Sequence, residues 1–139
     1  DVNVLVAWGW KDHVDHCRTV VWIADQKIRD HVKLLTSPIP EIGFVRVSAQ
    51  RSLGRVSVAE AAEVLEGMRK SLGSRYGFLA DDLSGTQWPD WCQGAARTTD
   101  AHLLKLAERN GIALATLDEG IPGAYLLPQT GMTRDVGFA

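Results

Sequence analysis

Thr98-Thr99-Asp100-Ala101-His102-Leu103-Leu104-Lys105-Leu106-Ala107, running on through Asn110-Gly111 to Ile112-Ala113-Leu114-Ala115-Thr116-Leu117-Asp118, decides the fold of this chain. Thr99 or Thr98 caps a helix that carries Leu103, Leu104 and Ala107 on one face, and Asn110-Gly111 stops it. The nearly continuous apolar run that follows reads as a central strand of a parallel sheet, buried on both faces. A helix feeding such a strand is one half of an α/β repeat, and both ends of the unit carry an acid. Asp100 lies in the first helical turn, and Asp118 follows the strand.

The same alternation extends upstream. Lys33-Leu34-Leu35-Thr36 reads as a short strand, Ser37-Pro38 turns the chain, and Pro40 suits the first turn of a helix that holds Glu41 and buries Ile42, Phe44 and Val45. Residues 50–56 read as a loop. Ser57-Val58-Ala59-Glu60 has capping-box spacing and opens a helix that buries Val58, Ala61, Ala62 and Leu65 and ends near Gly73. Tyr76-Gly77-Phe78-Leu79-Ala80 and Ala124-Tyr125-Leu126-Leu127 are strand candidates, and 81–97 is mostly loop. Near the start, Asp1 precedes the apolar Val2-Asn3-Val4-Leu5-Val6-Ala7, which opens a helix, and a strand is expected before Asp1. Asp12 caps a second helix, with Val14, Cys17 and Val21 at helical spacing. The expected architecture is therefore α/β, a parallel central sheet with helices on both faces, in a single domain over 1–139 with a tail at 129–139.

Ligands of such sheets bind beyond the carboxyl ends of the strands. Asp1, Glu41, Asp100 and Asp118 all project towards that rim. Taken singly, each has an ordinary explanation as a helix-end or turn acid. Four together repel one another, which is costly unless a cation neutralises them. Hard oxygen ligands favour Mg²⁺ or Mn²⁺. Such an ion can activate water and stabilise charge on a phosphodiester.

Composition narrows the choice of partner. The 139 residues are 45% hydrophobic and 23% charged, with net charge −2 and pI about 6.1. A broad basic face for nucleic acid would make the chain more positive, so any affinity for nucleic acid is expected to rest on the metal and on a local patch drawn from the arginines at 46, 51, 55, 75 and 97. Arg46 is the first candidate for a phosphate contact. Cys17 and Cys92 are too few for a disulfide framework. His13 and Cys17 lie one helical turn apart but have no second ligand pair to complete a zinc site. No apolar run is long enough for a membrane span and no signal peptide is visible, so a cytoplasmic location is expected. Val2, Val4, Trp8 and Trp10 form a partly apolar surface suited to a homodimer. His102 reads as a solvated helix position, and Asp81-Asp82 as part of a loop.

Three stretches together resemble the PIN-domain ribonucleases, specifically the VapC-type toxins of bacterial toxin–antitoxin pairs. They are 1–7, then Pro38-Ile39-Pro40-Glu41-Ile42-Gly43-Phe44-Val45-Arg46, then the 98–118 unit. The resemblance implies a three-layer α/β/α PIN-like domain and a Mg²⁺- or Mn²⁺-dependent endonuclease acting on RNA. It also implies a cognate antitoxin that blocks the site and a homodimeric state. Asp1, Glu41, Asp100 and Asp118 match the family's acids, and Asn3 and Thr116 its supporting polar positions. Glu119 stands where relatives often carry a basic residue. Two other functions fit the same fold: a housekeeping PIN-type nuclease, and a non-catalytic RNA- or protein-binding module. A phosphatase using Asp1 as nucleophile is disfavoured, because Asn3 cannot serve as the general acid two residues on.

Overall fold

The computed structural model describes residues 1–129, so the tail read at 129–139 lies, but for Gln129, outside the described residues. Helix α1 (Val2–Gly9) begins at Asp1, whose side chain accepts the Val4 N–H at 3.0 Å, an N-cap that satisfies one of the orphan donors of the first turn. Val4, Leu5, Val6 and Ala7 are all buried, so α1 is apolar nearly all round and runs through the interior. Val4 packs with Trp22, Ile23, Leu72 and Leu127 on one side. Leu5 and Val6 pack with Phe44, Leu65 and Met68 on the other.

Helix α2 (His16–Lys27) starts three residues later than a cap at Asp12 would place it. His13 accepts the Asp15 N–H at 3.0 Å and holds a turn there instead. The later start rotates the buried face to Arg18, Thr19, Trp22 and Ile23, and leaves Val14, Cys17 and Val21 exposed. Strand β1 (Leu34–Thr36) leads into α3 (Pro38–Arg51), which takes in the first two residues of the segment 50–56 read as a loop. Phe44 is its deepest side chain, whereas Ile42 is exposed. A Cβ on Gly43 would come within 2.6 Å of a Val2 methyl, so the missing side chain lets α3 lie directly against α1. The second turn of α3 thereby abuts the first turn of α1, which follows Asp1.

The capping box forms as expected at the head of α4 (Val58–Leu72), with Ser57 and Glu60 bonding each other's backbone N–H. Val58 faces solvent, and the buried face is Ala61, Leu65, Met68 and Leu72. Strand β2 (Tyr76–Phe78) follows, then a long irregular segment. A 3-10 turn at Ala95–Arg97 leads into α5 (Thr98–Arg109), with Arg97 rather than a threonine at the cap. Gly111, at φ +66°, turns the chain out of the helix in a conformation that favours glycine.

Strands β3 (Ala115–Thr116) and β4 (Tyr125–Leu126) complete the described elements, giving mixed helix and strand with parallel pairing, as an α/β chain requires. The pairing differs from a single central sheet. Strand β1 pairs with β2 in the register Leu34↔Tyr76, Leu35↔Gly77, Thr36↔Phe78, while β3 pairs separately with β4 as Ala115↔Tyr125 and Thr116↔Leu126. A cavity of about 430 Å³ separates the two pairs, bounded by Leu34, Leu35, Leu103, Leu114, Ala115 and Tyr125. The Asp1 nitrogen donates to Ala115 O at 2.9 Å on the cavity side of β3. Ile112, expected inside the strand, is partly exposed, which shortens β3 to the residues that pair.

The surface read as a dimer face is largely internal. Val4 belongs to the core, and Val2, Trp8 and Trp10 pack against it. Trp10 also donates its indole N–H to Ser48 at 2.9 Å, under the Arg51 guanidinium. Among the described residues, no helix is long and apolar enough to cross a membrane.

Candidate active site

The site is organised by a buried hydroxyl. Thr116, the last residue of β3, is 1% exposed. Its Oγ1 donates to Asp1 Oδ2 at 2.5 Å and accepts the Asp118 N–H at 3.0 Å. A hydroxyl carries one donor and two acceptor positions, so this geometry fixes its direction and makes it a bridge between the two acids. With Val4 N–H on Oδ1 and Thr116 on Oδ2, both oxygens of Asp1 are held. Asp118 bends back to accept the Gly120 N–H at 2.7 Å.

Asp100 enters from the first turn of α5. Burial raises its pKa first, and the neighbouring Asp118 carboxylate raises it further, while Arg97 pulls the other way. No hydrogen bond supports its carboxylate among the described residues. Two acids pressed together in a half-buried position, one of them without donors, are a costly arrangement for a chain that meets no cation.

Glu41 is held differently. Its Oε1 accepts Thr36 Oγ1 at 2.6 Å and the Tyr76 hydroxyl at 3.2 Å, and Arg69 lies 3.5 Å away. Arg69 in turn lies over the Tyr76 ring at 4.7 Å. These partners stand on the β1–β2 edge and on α4. Sequence reading did not connect them with Glu41, since they are spread over 36–76 and no local pattern links them. Tyr76 keeps its proton to higher pH than usual, mainly because burial disfavours the phenolate.

The structure thus brings Asp1, Thr116 and Asp118 into one bonded chain and sets Asp100 beside it. Glu41 is held by its own partners, Thr36, Tyr76 and Arg69, and no hydrogen bond links it to Asp1, Asp100 or Asp118 among the described residues. Asn3 is exposed in the first turn of α1, and Arg46 is exposed on α3. His102, expected in solvent, is mostly buried and bonds Asp81 at 2.7 Å. Asp81 follows β2, so this pair ties that segment to α5.

Among the described residues, no group of three or more His, Cys, Asp or Glu side chains is arranged to hold a metal ion. That argues against a fully protein-caged ion. Mg²⁺, however, retains several waters and takes only one or two carboxylates from a protein. Asp100, raised in pKa by burial and then by the neighbouring Asp118 carboxylate, has with Asp118 the chemistry for that.

An α/β chain with parallel strands and a threonine-bridged rim of carboxylates is the class that fold and site define. No family model matches the chain. Among proteins of known name, it is similar to Ribonuclease VapC38 of Mycobacterium tuberculosis, with 39% identity over 124 residues, covering 87% of this chain and 84% of that protein. It is also similar to Ribonuclease VapC39 of the same organism, at 33% over 127 residues and 87% and 88% coverage. Ribonuclease VapC44, again from that organism, is 33% identical over 132 residues, with 89% and 91% coverage. Identity of this order across most of both chains is sufficient: this chain belongs to the VapC ribonuclease family.

Proposed function

We propose that this protein is a divalent-metal-dependent endoribonuclease, the toxin of a toxin–antitoxin pair, acting in the cytoplasm on RNA phosphodiester bonds. The observation that carries the reading is Asp100, whose pKa is raised first by burial and then by the Asp118 carboxylate, in a site that Thr116 ties to Asp1. Asp100 and Asp118 would hold Mg²⁺ or Mn²⁺, with waters completing the shell. Such an ion, when bound, supplies positive charge to the phosphate and lowers the pKa of water.

The remaining steps belong to the chain. Asp1, locked at both oxygens, accepts hydrogen bonds from water at a fixed position beside the ion site. Thr116 keeps Asp1 and Asp118 in register, as a partner behind a ligand does. Glu41, steadied by Thr36, Tyr76 and Arg69, forms the neighbouring wall and carries negative charge to the same rim. Asn3 keeps the supporting role that the family resemblance assigns it, and Arg46, exposed on α3, offers at most an outlying contact to phosphate. A PIN-like three-layer fold fits the two parallel pairs if a strand ending at Asp1 lies in the cavity between them, continuing the bond from the Asp1 nitrogen to Ala115. The homodimer and the antitoxin rest on family membership alone.

The test is cleavage of end-labelled RNA by the purified chain with Mg²⁺ or Mn²⁺, with EDTA, and with Asp100→Asn. Cleavage that needs the metal and falls at least about tenfold in the variant supports the reading. Full activity in EDTA, or in Asp100→Asn, would overturn it.

A further inference from the structure

Arg97 closes the 3-10 turn ahead of α5, three residues before Asp100. Its guanidinium reaches across to the loop after β3 and donates to Gly120 O. It lies over the Trp91 ring at 5.2 Å, a cation–π contact that fixes its plane. Gly120 also donates its N–H to Asp118 Oδ1 at 2.7 Å, so a single loop residue holds the acid and the cation together. A Cβ built on Gly120 would meet Asp118 Oδ1 at 3.1 Å and both terminal guanidinium nitrogens of Arg97 at 3.3 Å. The two charges thus flank the position that a side chain on residue 120 would take.

The guanidinium is underused within the chain. Its Nε is buried and has no hydrogen-bond partner. Among the described residues it forms no ion pair, whereas Arg18, Arg51, Arg69 and Arg109 each have a carboxylate. A donor left unmade in this way is costly and calls for an explanation. Simple attachment of the loop needs one bond, and a neutral donor could supply it. A phosphodiester approaching Asp1, Asp100 and Asp118 meets three carboxylates and needs a fixed positive group in addition to any bound ion. Arg97 has the planar fork that suits phosphate oxygens, stands beside Asp118, and is oriented beforehand by Trp91 and Gly120.

We propose that Arg97 binds the phosphate of the RNA strand next to the Asp100–Asp118 pair, and that residue 120 is glycine because a side chain there would fill the cradle. This rests on the ribonuclease reading above, with Arg97 in place of the exposed Arg46 as the main phosphate contact.

The experiment measures kcat and KM for a short single-stranded RNA of mixed sequence across a series of KCl concentrations. It uses the wild-type chain, R97K, R97Q and Trp91→Leu. Loss of one phosphate contact to a single strand should make the log–log salt slope of kcat/KM shallower by about 0.7. R97Q is expected to show that change with a KM raised about tenfold, the size of one charge-assisted contact. R97K should restore the slope but only part of the KM. Trp91→Leu should keep the slope and raise KM less. If R97Q does not fold, Gly120→Ala supplies the same readout, because its methyl displaces the guanidinium while the charge stays.

A wild-type slope and KM in folded R97Q, or in Gly120→Ala when R97Q does not fold, overturns the proposal even if the enzyme cleaves RNA. Absence of any cleavage or RNA binding by the wild-type chain overturns the ribonuclease reading and this inference with it. The two failures are therefore distinguishable.

Discussion

Replacing Thr116 with valine keeps the shape of a fully buried side chain and deletes its oxygen. Two bonds are lost: the one donated to Asp1 Oδ2 at 2.5 Å and the one accepted from Asp118 N–H at 3.0 Å. A hydrogen bond to a charged group contributes about 1.5–3 kcal/mol, and a buried donor left without a partner costs about 1–3 kcal/mol more. Asp1 and Asp118 are only partly buried, so water recovers some of this, and a net loss of about 2–3 kcal/mol is expected. For a chain of this size that corresponds to a thermal midpoint lower by about 5–12 °C. Activity should fall further than stability, because Asp1 and Asp118 lose their common register. Thr116→Ser provides the control: it keeps the hydroxyl and loses one methyl, so it should cost about 1 kcal/mol and retain most of the activity. Circular dichroism melting and RNA cleavage rates measured below both midpoints separate the two effects. Equal midpoints and equal rates for valine and threonine would refute the bridging role.

Asp100→Asn should trade activity for stability. Its raised pKa means that the folded chain binds this proton more tightly than the unfolded one. The stability it contributes is therefore present at acid pH and declines as pH rises from the ordinary carboxylate range through the raised value. At neutral pH in EDTA the variant should melt higher than wild type, the difference should vanish in acid, and added Mg²⁺ should stabilise only the wild type. Gly43→Ala should destabilise the chain by about 1–3 kcal/mol through the clash with Val2, measured as a shift of the urea midpoint, and should lower activity by shifting α1, whose N-cap is Asp1. Expression of the chain alone in its host should slow growth, and co-expression of a cognate antitoxin should relieve it. Normal growth at high levels of active protein would favour a housekeeping nuclease.

The acids were legible in the sequence because each sits in a local pattern. Asp1 precedes an apolar helix, Glu41 follows Pro40, Asp100 lies in a helix head, and Asp118 ends an apolar run. Thr116 was singled out only through the family resemblance, as a supporting polar position. Their partners were not, because those contacts are made between distant segments. Nothing in the chain order links Glu41 with Arg69, His102 with Asp81, or Arg97 with Gly120. Buried faces were misread where an element began elsewhere than its cap signal suggested. The His13–Asp15 turn delayed α2 and exchanged Val14 and Val21 for Trp22 and Ile23 at the core. Ile42 and Val58 failed for another reason. Val58 opens α4 and Ile42 lies just past the first turn of α3, near helix starts where an apolar residue can face water without disturbing the face that packs. The single sheet expected from strand alternation became two pairs, since the space between them is occupied by no described residue.

The central claim is that the Asp100–Asp118 pair holds the ion with which the chain cleaves RNA. Anomalous scattering from crystals grown with Mn²⁺, under conditions in which the protein cleaves RNA, tests it most directly. The account expects one peak within coordination distance, about 2.1 Å, of a carboxylate oxygen of each of these residues, with waters filling the other positions. A peak elsewhere, or none while cleavage proceeds, would contradict it.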